Sequence, residues 1–230
     1  MKAKLVILRH GQTEYNKNHL MTGQVDAPLT SVGEDQGREA GRQMAGIVFD
    51  KAYSSTLSRA FNTAALALGA SGSNAHLKNP DGSFRVQKDI DIIEGDTGDF
   101  TGRNHKTDPV IISFGRTYDM PMPNGESDKQ VVERVRKFFD REVMPRLLKG
   151  ENVLVVAHAG VLRAFDIVLG LEPEPAAGQK RQMKRIENAA PTLYEYEEGK
   201  LASFRTLGGP PPADAANQNG PHVPRKSLKP

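Results

Sequence analysis

The sequence predicts a three-layer α/β/α fold with a mostly parallel central sheet. Two continuous apolar runs, residues 5–8 and Val153–Ala157, are typical of strands that are covered on both faces. Between these runs, segments with apolar residues at helical spacing alternate with short strand-like runs. Such alternation indicates helices packed on both faces of one sheet.

The elements of the first half follow in chain order. After the first strand, Ser31 and Glu34 have the spacing of a capping box and begin a helix that reaches about residue 47. A second strand over residues 51–54 leads directly into a helix over residues 56–68. Apolar residues recur along this helix every three or four positions, which predicts one buried face.

The second half repeats the alternation. Residues 84–90 alternate like a strand, and Ser127 with Gln130 offers another capping box. This box begins a long amphipathic helix that reaches about residue 147. The remaining predicted elements are the buried strand, a helix ending near residue 169 and a closing pair of strands: Val153–Ala157, 158–169, 192–196 and 201–205.

Composition predicts one domain with a tail. At 230 residues, 37% hydrophobic and 26% charged, the chain can bury one full core, which we assign to residues 1–207. Residues 208–230 are rich in proline and glycine and have almost no apolar side chains. Such a stretch cannot bury enough surface to fold alone, so we expect a mobile tail.

Charge and cysteine content narrow the functional classes. The net charge of +3 is small and the Lys and Arg residues are spread along the chain, which favours small anions as partners over nucleic acid. There is no cysteine, so disulfides, thiolate metal sites and a cysteine nucleophile are excluded. The four apolar residues after Lys4 are too few for a signal peptide or a membrane span, and we expect a cytoplasmic protein without membrane partners.

Candidate chemistry gathers where strands end. Arg9 and His10 follow the first strand, His158 follows Val153–Ala157, and Arg59 lies in the first turns of the helix after the second strand. Ligands of open α/β sheets bind beyond the carboxyl ends of the strands. A single histidine at a strand end is more often structural. Two histidines together with two arginines instead favour a nucleophile inside an anion pocket.

The run after the first strand resembles the signature of the histidine phosphatase superfamily: Arg9-His10-Gly11-Gln12-Thr13-Glu14-Tyr15-Asn16. Within that superfamily, nearly all of the first 205 residues are similar to 2,3-bisphosphoglycerate-dependent phosphoglycerate mutases. The segments that carry this likeness are 22–30, 53–60, 144–146 and 153–163, and residues 116–127 resemble the short bacterial type in particular.

The resemblance implies a mechanism and a site. His10 would become a phosphohistidine, with its second ring nitrogen held by a backbone carbonyl, and Glu94 would donate and accept the proton. Arg9, Arg59 and His158 would bind the phosphoryl oxygens. The resemblance further implies no metal and no permanently bound cofactor, with 2,3-bisphosphoglycerate as phosphoryl primer of a mutase. The implied substrate-binding residues are Gly11, Thr13, Asn16, Thr22, Gly23, Arg116, Ala159 and Gly160.

Departures from the mutase pattern concern the substrate. Gly95 and Thr97 stand where mutases have arginine and tyrosine, and His105 stands where they have lysine. Only Arg116 remains of an arginine pair, with Gly115 before it. These mutase groups bind the far end of a phosphoglycerate, and each charged hydrogen bond is worth about 1.5–3 kcal/mol. Arg103 and Lys106 are candidate substitutes from neighbouring positions.

Three hypotheses follow. The first is a mutase that interconverts 2- and 3-phosphoglycerate or a similar small phosphorylated acid. The second is a phosphatase that passes the phosphoryl group from a small phosphomonoester to water. The third is a phosphate-binding protein without catalysis. This hypothesis is disfavoured by the presence together of His10, Arg9, Arg59, Glu94 and His158. The sequence leaves the oligomeric state open, a homo-oligomer included.

Overall fold

The computed structural model describes residues 1–180 and 184–208. Within them lies a six-stranded sheet of order β3-β2-β4-β1-β5-β6. Strand β1 pairs in parallel with β4, which pairs in parallel with β2, whereas β5 is antiparallel to both β1 and β6. The predicted, mostly parallel sheet is confirmed. The strands are β1 Lys2–Arg9, β2 Lys51–Ser55, β3 Gln87–Asp89, β4 Val153–Ala157, β5 Thr192–Glu197 and β6 Lys200–Thr206.

Helices cover both faces of the sheet and give the three predicted layers. On one face α2 and α3 pack against Val6 and Leu8 of β1, and on the other face α5, α6 and α7 pack against Leu5 and Ile7. Because both faces are covered, β1 and β4 are apolar at every central position. The helices are α1 Glu14–Lys17, α2 Ser31–Gln43, α3 Ser58–Ala70, α4 Pro109–Ser113, α5 Asp128–Phe138, α6 Met144–Leu148 and α7 Ala159–Val168.

Two predicted elements, the helix after Ser31 and the strand over residues 84–90, are shorter than expected. Helix α2 ends at Gln43 and not near residue 47, because Gly46 adopts a left-handed conformation (φ 81°) that terminates the helix. Its N-cap is Thr30, whose side chain accepts from the Gly33 N–H, and not the expected Ser31. Of the predicted strand over 84–90 only β3 forms. It ends at Asp89, whose side chain caps a 3-10 turn over Ile90–Ile92, while Phe84 pairs with Lys78 in an isolated bridge.

The predicted long helix over residues 127–147 is interrupted. Helix α5 begins with the expected Ser127 and Gln130 capping box, but a π-helical turn over Phe139–Val143 separates it from α6. Pro145, in the first turn of α6, has no N–H, and its ring would collide with the Arg141 carbonyl of a continuous α-helix. The wider π turn removes that collision.

The remaining observations concern two unpredicted helices, the expected tail and membrane-spanning helices. The short helices α1 and α4 were not predicted, and of the expected tail only Gly208 lies within the described residues. Among the residues that the structure describes, no helix combines the length and apolar character that crossing a membrane requires.

Candidate active site

The register of the sheet brings His10 and His158 together. Arg9 at the end of β1 pairs with Ala157 at the end of β4, and the His10 N–H donates to the Ala157 carbonyl at 3.0 Å. Both strands point the same way, so the next residue of each leaves the sheet at the same level. The two imidazole rings lie 5.1 Å apart between centroids.

His10 is held as a neutral imidazole. Its Nδ1 lies 2.7 Å from the Gly11 carbonyl oxygen, the type of backbone partner that the sequence predicts. Burial, reinforced by the charges of Arg9 and Arg59, holds the pKa of His10 well below 6.5. Since the proton of the neutral ring is on Nδ1, the lone pair is on Nε2.

Arg59 and Arg9 are fixed through backbone carbonyls. The Arg59 side chain is fully buried, and its two terminal nitrogens donate to the carbonyls of Val25 (2.6 Å) and Gly23 (3.0 Å). Arg9 donates through Nη1 to the Ile186 carbonyl, and burial lowers the pKa of Arg9 to about 10. Both guanidiniums therefore remain charged at neutral pH.

Buried donors without partners surround these rings. Within the described residues, neither ring nitrogen of the fully buried His158 has a hydrogen-bond partner, and the buried Nε atoms of Arg9, Arg59 and Arg116 also have none. An unsatisfied buried polar group costs about 1–3 kcal/mol. Those nitrogen atoms of Arg9, Arg59 and His158 lie together around His10, which indicates a site built to receive anionic oxygens. We call Arg9, His10, Arg59 and His158 the anion cluster.

Glu94 lies at the same pocket and is fixed by backbone N–H groups. Its Oε1 accepts from the N–H of Gly95 (2.9 Å) and of Gly160 (3.1 Å). A Cβ atom on Gly160 would collide with that same oxygen. Gly160 thus serves the site by admitting the Glu94 carboxyl next to its backbone.

Gly11 and Thr13 contribute differently from the expectation that they bind substrate. A Cβ atom on Gly11 would collide with the Gly33 carbonyl, so its missing side chain admits the first turn of α2. The buried Thr13 side chain accepts from the Asn16 N–H and caps α1. Neither residue lines the pocket. Both support the loop that holds His10.

Asn16 lines the pocket, as predicted, and is fixed by a residue that the sequence did not single out. Its Oδ1 accepts from the Thr13 N–H and from Nδ2 of Asn188, both at 3.2 Å. The same Nδ2 donates to the His10 carbonyl at 2.9 Å. Asn188 therefore connects the His10 loop to the chain before β5, a contact across 178 positions that no local pattern signals.

The outer part of the pocket has a different construction. We define the outer wall as His105, Arg116, Met122 and Asp128, where Nη2 of Arg116 donates to the Asp128 carboxylate. The predicted residues Thr22, Gly23, Arg116, Ala159 and Gly160 all line the pocket, as do Gly95 and Thr97.

Arg103 and Lys106, the candidate substitutes for the missing mutase groups, lie outside the pocket. Arg103 forms a bidentate pair with Asp108 (2.7 and 2.9 Å), and Nζ of Lys106 lies 3.2 Å from His19 Nε2. Neither residue lines the pocket, whereas Arg163 does, one helical turn after Ala159. The i, i+4 spacing from Ala159 could have indicated Arg163.

In the described part of the chain, no cluster of three His, Cys, Asp or Glu residues could hold a metal ion.

The site combines the neutral imidazole of His10 with the guanidiniums of Arg9 and Arg59, and comparison with known proteins identifies the family. The model of the histidine phosphatase superfamily (branch 1) matches residues 5–206. The chain belongs to this superfamily and is an enzyme of the mutase or phosphatase type.

Curated relatives cover most of the chain. The 2,3-bisphosphoglycerate-dependent phosphoglycerate mutase of Bradyrhizobium diazoefficiens is 39% identical over 89% of this chain and 98% of that protein. The protein of the same name from Methylobacterium sp. (strain 4-46) is 42% identical, covering 77% of this chain and 86% of its own length.

Solved structures similar to the chain include phosphatases and a mutase. A putative alpha-ribazole-5'-P phosphatase from Escherichia coli has a TM-score of 0.69 at 25% identity, covering 89% of this chain and 95% of that one. A mycobacterial glucosyl-3-phosphoglycerate phosphatase with VO3 has 0.66 at 26% identity, covering 88% and 96%. The phosphoglycerate mutase of Bacillus anthracis shares the fold, with 0.68 at 24% identity, covering 90% and 93%.

Proposed function

We propose that the chain is a phosphoglycerate mutase-type phosphotransferase, with His10 carrying the phosphoryl group between two oxygens of a small phosphorylated acid. The state of His10 carries this proposal. The Gly11 carbonyl holds its Nδ1, and burial beside two arginines keeps the ring neutral. The Nε2 lone pair is therefore available for attack at neutral pH.

In the first half-reaction, Nε2 of His10 attacks phosphorus. The N–P bond forms as the bond between phosphorus and the ester oxygen breaks, and the Glu94 carboxyl gives its proton to the leaving oxygen. Negative charge on the phosphoryl oxygens is stabilised by the guanidiniums of Arg9 and Arg59 and by a ring N–H of His158. The nitrogen atoms of Arg9, Arg59 and His158 that have no hydrogen-bond partner among the described residues thereby bind the phosphoryl oxygens.

In the second half-reaction the same residues work in reverse. An acceptor hydroxyl loses its proton to the Glu94 carboxylate while its oxygen attacks phosphorus. The N–P bond breaks and its electron pair returns to Nε2 of His10. When the acceptor is a second hydroxyl of the bound acid, the result is isomerisation. When it is water, the result is inorganic phosphate.

Two observations support the mutase reaction. The curated relatives at 39% and 42% identity are named 2,3-bisphosphoglycerate-dependent phosphoglycerate mutases and match over most of their length. The pocket also contains the guanidiniums of Arg116 and Arg163 in addition to those of the anion cluster. Four arginines suit an acid with two anionic groups. When bound, 2,3-bisphosphoglycerate would supply the phosphoryl group that primes His10.

One observation favours a phosphatase as the second candidate. The Arg116 guanidinium at the outer wall is already paired with Asp128, and Gly95 and Thr97 add no charge there. Fewer groups then remain to orient the acceptor hydroxyl of a phosphoglycerate. Water competes better for the phosphohistidine when that hydroxyl is held loosely.

A paired assay tests the proposal. The protein is given 3-phosphoglycerate with and without 2,3-bisphosphoglycerate, and 2-phosphoglycerate and free phosphate are followed together. We expect isomerisation that the bisphosphate stimulates, and none from a His10→Ala control. Release of phosphate without isomerisation would replace the mutase by the phosphatase. Binding without either product would favour the phosphate-binding protein.

A further inference from the structure

A second arginine-centred group lies behind Glu94. Arg134 on α5 forms a bidentate pair with Glu126, Nε to Oε1 and Nη2 to Oε2, both at 3.0 Å. Its Nη1 donates to the carbonyls of Asp91 (2.9 Å) and Ile93 (2.6 Å). The two side chains are only 14% and 22% exposed, so water competes weakly for these charge-assisted bonds.

These bonds hold the backbone on both sides of Glu94. Ile93, whose carbonyl accepts from Arg134, directly precedes Glu94. On the other side, Oε2 of Glu126 accepts from the N–H of Asp96 at 2.9 Å. The segment 93–96 is therefore fastened before and after the carboxyl-bearing residue by one ion pair.

We propose that Arg134, together with Glu126, is a positioning residue that sets the Glu94 carboxyl for proton transfer. Neither Arg134 nor Glu126 lines the pocket, and their hydrogen bonds reach the site through the backbone on either side of Glu94. The inference rests on the proposed role of Glu94 as the proton donor. A misplacement of about 1 Å at a reacting group costs about 100-fold in rate, so loss of the ion pair affects the proton-transfer step.

Arg141, in the π-helical turn that follows α5, provides a matched control for Arg134. Arg141 forms ion pairs with the side chains of Asp89 (2.6 Å) and Asp91 (2.7 Å) and is 48% exposed. It binds the chain before Glu94 from the solvent side and touches neither flanking peptide group. Arg141→Met removes a comparable number of charged contacts without releasing residues 93–96.

The test compares two leaving groups. Phenyl phosphate and 4-nitrophenyl phosphate are similar in size, but the phenolate oxygen is the more basic and needs a proton more as it leaves. Phosphoenzyme formation is measured in single turnovers with each compound. For Arg134→Met we expect a loss of about 100-fold with phenyl phosphate and of less than about 5-fold with 4-nitrophenyl phosphate.

The reference variants make each outcome decisive. Glu94→Gln should show the same selective loss, and adding Arg134→Met to it should cause no further selective loss, because both act on one step. Arg141→Met should leave the ratio of the two rates unchanged. Circular dichroism checks folding. Where Arg134→Met does not fold, Glu126→Gln and Arg134→Lys are judged by the same ratio.

Two results would overturn the inference separately. Equal losses with both compounds in the Arg134 and Glu126 variants, beside a selective loss in Glu94→Gln, would leave Glu94 as the acid and remove Arg134 as its positioning residue. No selective loss in Glu94→Gln would remove the proposed acid itself.

Discussion

The anion cluster and the outer wall are built in opposite ways. Arg59 and His158 are fully buried and His10 is 3% exposed, and the contacts of His10 and Arg59 are to backbone carbonyls. At the outer wall, Arg116 and Asp128 are 24% and 13% exposed and bind each other through their side chains.

The difference separates the chemistry from the choice of substrate. Moving Arg9, His10 or Arg59 requires moving backbone, because carbonyl groups hold these three side chains. Changing the outer wall requires only another side chain. Gly95, Thr97 and His105, where the sequence is expected to depart from the mutase pattern, all line the pocket outside the anion cluster. Four predictions, in decreasing order of expected effect, probe this division.

His10→Ala should abolish turnover, with a loss of at least about 10⁴-fold. Removing the nucleophile leaves no atom to accept the phosphoryl group, whatever the outer wall binds. Trapping of ³²P-labelled phosphoenzyme after acid-free quenching measures the effect, with wild type as reference. Labelled phosphoenzyme surviving in the variant would place the nucleophile elsewhere.

Glu94→Gln should slow turnover by about 10²–10⁴-fold, the usual range for a general acid. Gln retains an oxygen that can accept from Gly160 N–H, so the pocket should keep its shape. Inhibition by inorganic phosphate, which reports binding to the anion cluster, should change far less. Equal losses of turnover and phosphate binding would make Glu94 a structural part of the pocket.

Asp128→Asn should lower the KM for 3-phosphoglycerate by about 3- to 10-fold. The change removes a negative charge from this partly buried pair and releases Arg116, and a 3- to 10-fold change in KM corresponds to about 0.7–1.4 kcal/mol. Steady-state kinetics give KM and kcat separately. Asp108→Asn is the matched control, because its partner Arg103 lies outside the pocket. The same KM in both variants would exclude Arg116 from substrate binding.

Lowering the pH from about 7.5 to about 5.5 should decrease the free energy of unfolding. The pKa values of His10 and His158 lie well below 6.5 in the folded chain, chiefly because of burial. Below pH 6.5 the unfolded chain therefore binds more protons, and each histidine contributes at most about 1.4 kcal/mol per pH unit. Denaturant titrations should show a smaller pH dependence for His158→Asn. The same pH dependence of the free energy of unfolding in wild type and variant would contradict a pKa of His158 lowered by burial.

Local patterns predicted the parts of the fold that depend on local physics. The apolar runs of β1 and β4 required a two-sided sheet, and this placed Arg9, His10 and His158 at one edge. The Ser127 capping box fixed the start of α5. The predicted end of α2 and the predicted continuous helix from residue 127 to 147 were wrong. Gly46 could have indicated the first and Pro145 the second.

Long-range contacts account for what the sequence could not show. Asn188 reaches the His10 loop across 178 positions, and Arg134 reaches the Asp91 carbonyl across 43. Side chains of this kind have no periodicity, since their partners are single carbonyls in other elements. Gly11 was expected to bind substrate, whereas the space that a side chain would fill there is occupied by the Gly33 carbonyl.

The pairing of β1 with β4 determines the distance between His10 and His158. Neighbouring strands lie about 4.8 Å apart, and the two imidazoles that leave them are 5.1 Å apart. The distance between the two imidazoles thus follows from the spacing of the two strands and does not depend on loop length. Evolution can lengthen loops and exchange rim residues while this distance stays constant. A one-residue insertion within β4, in contrast, would turn His158 to the opposite face of the sheet.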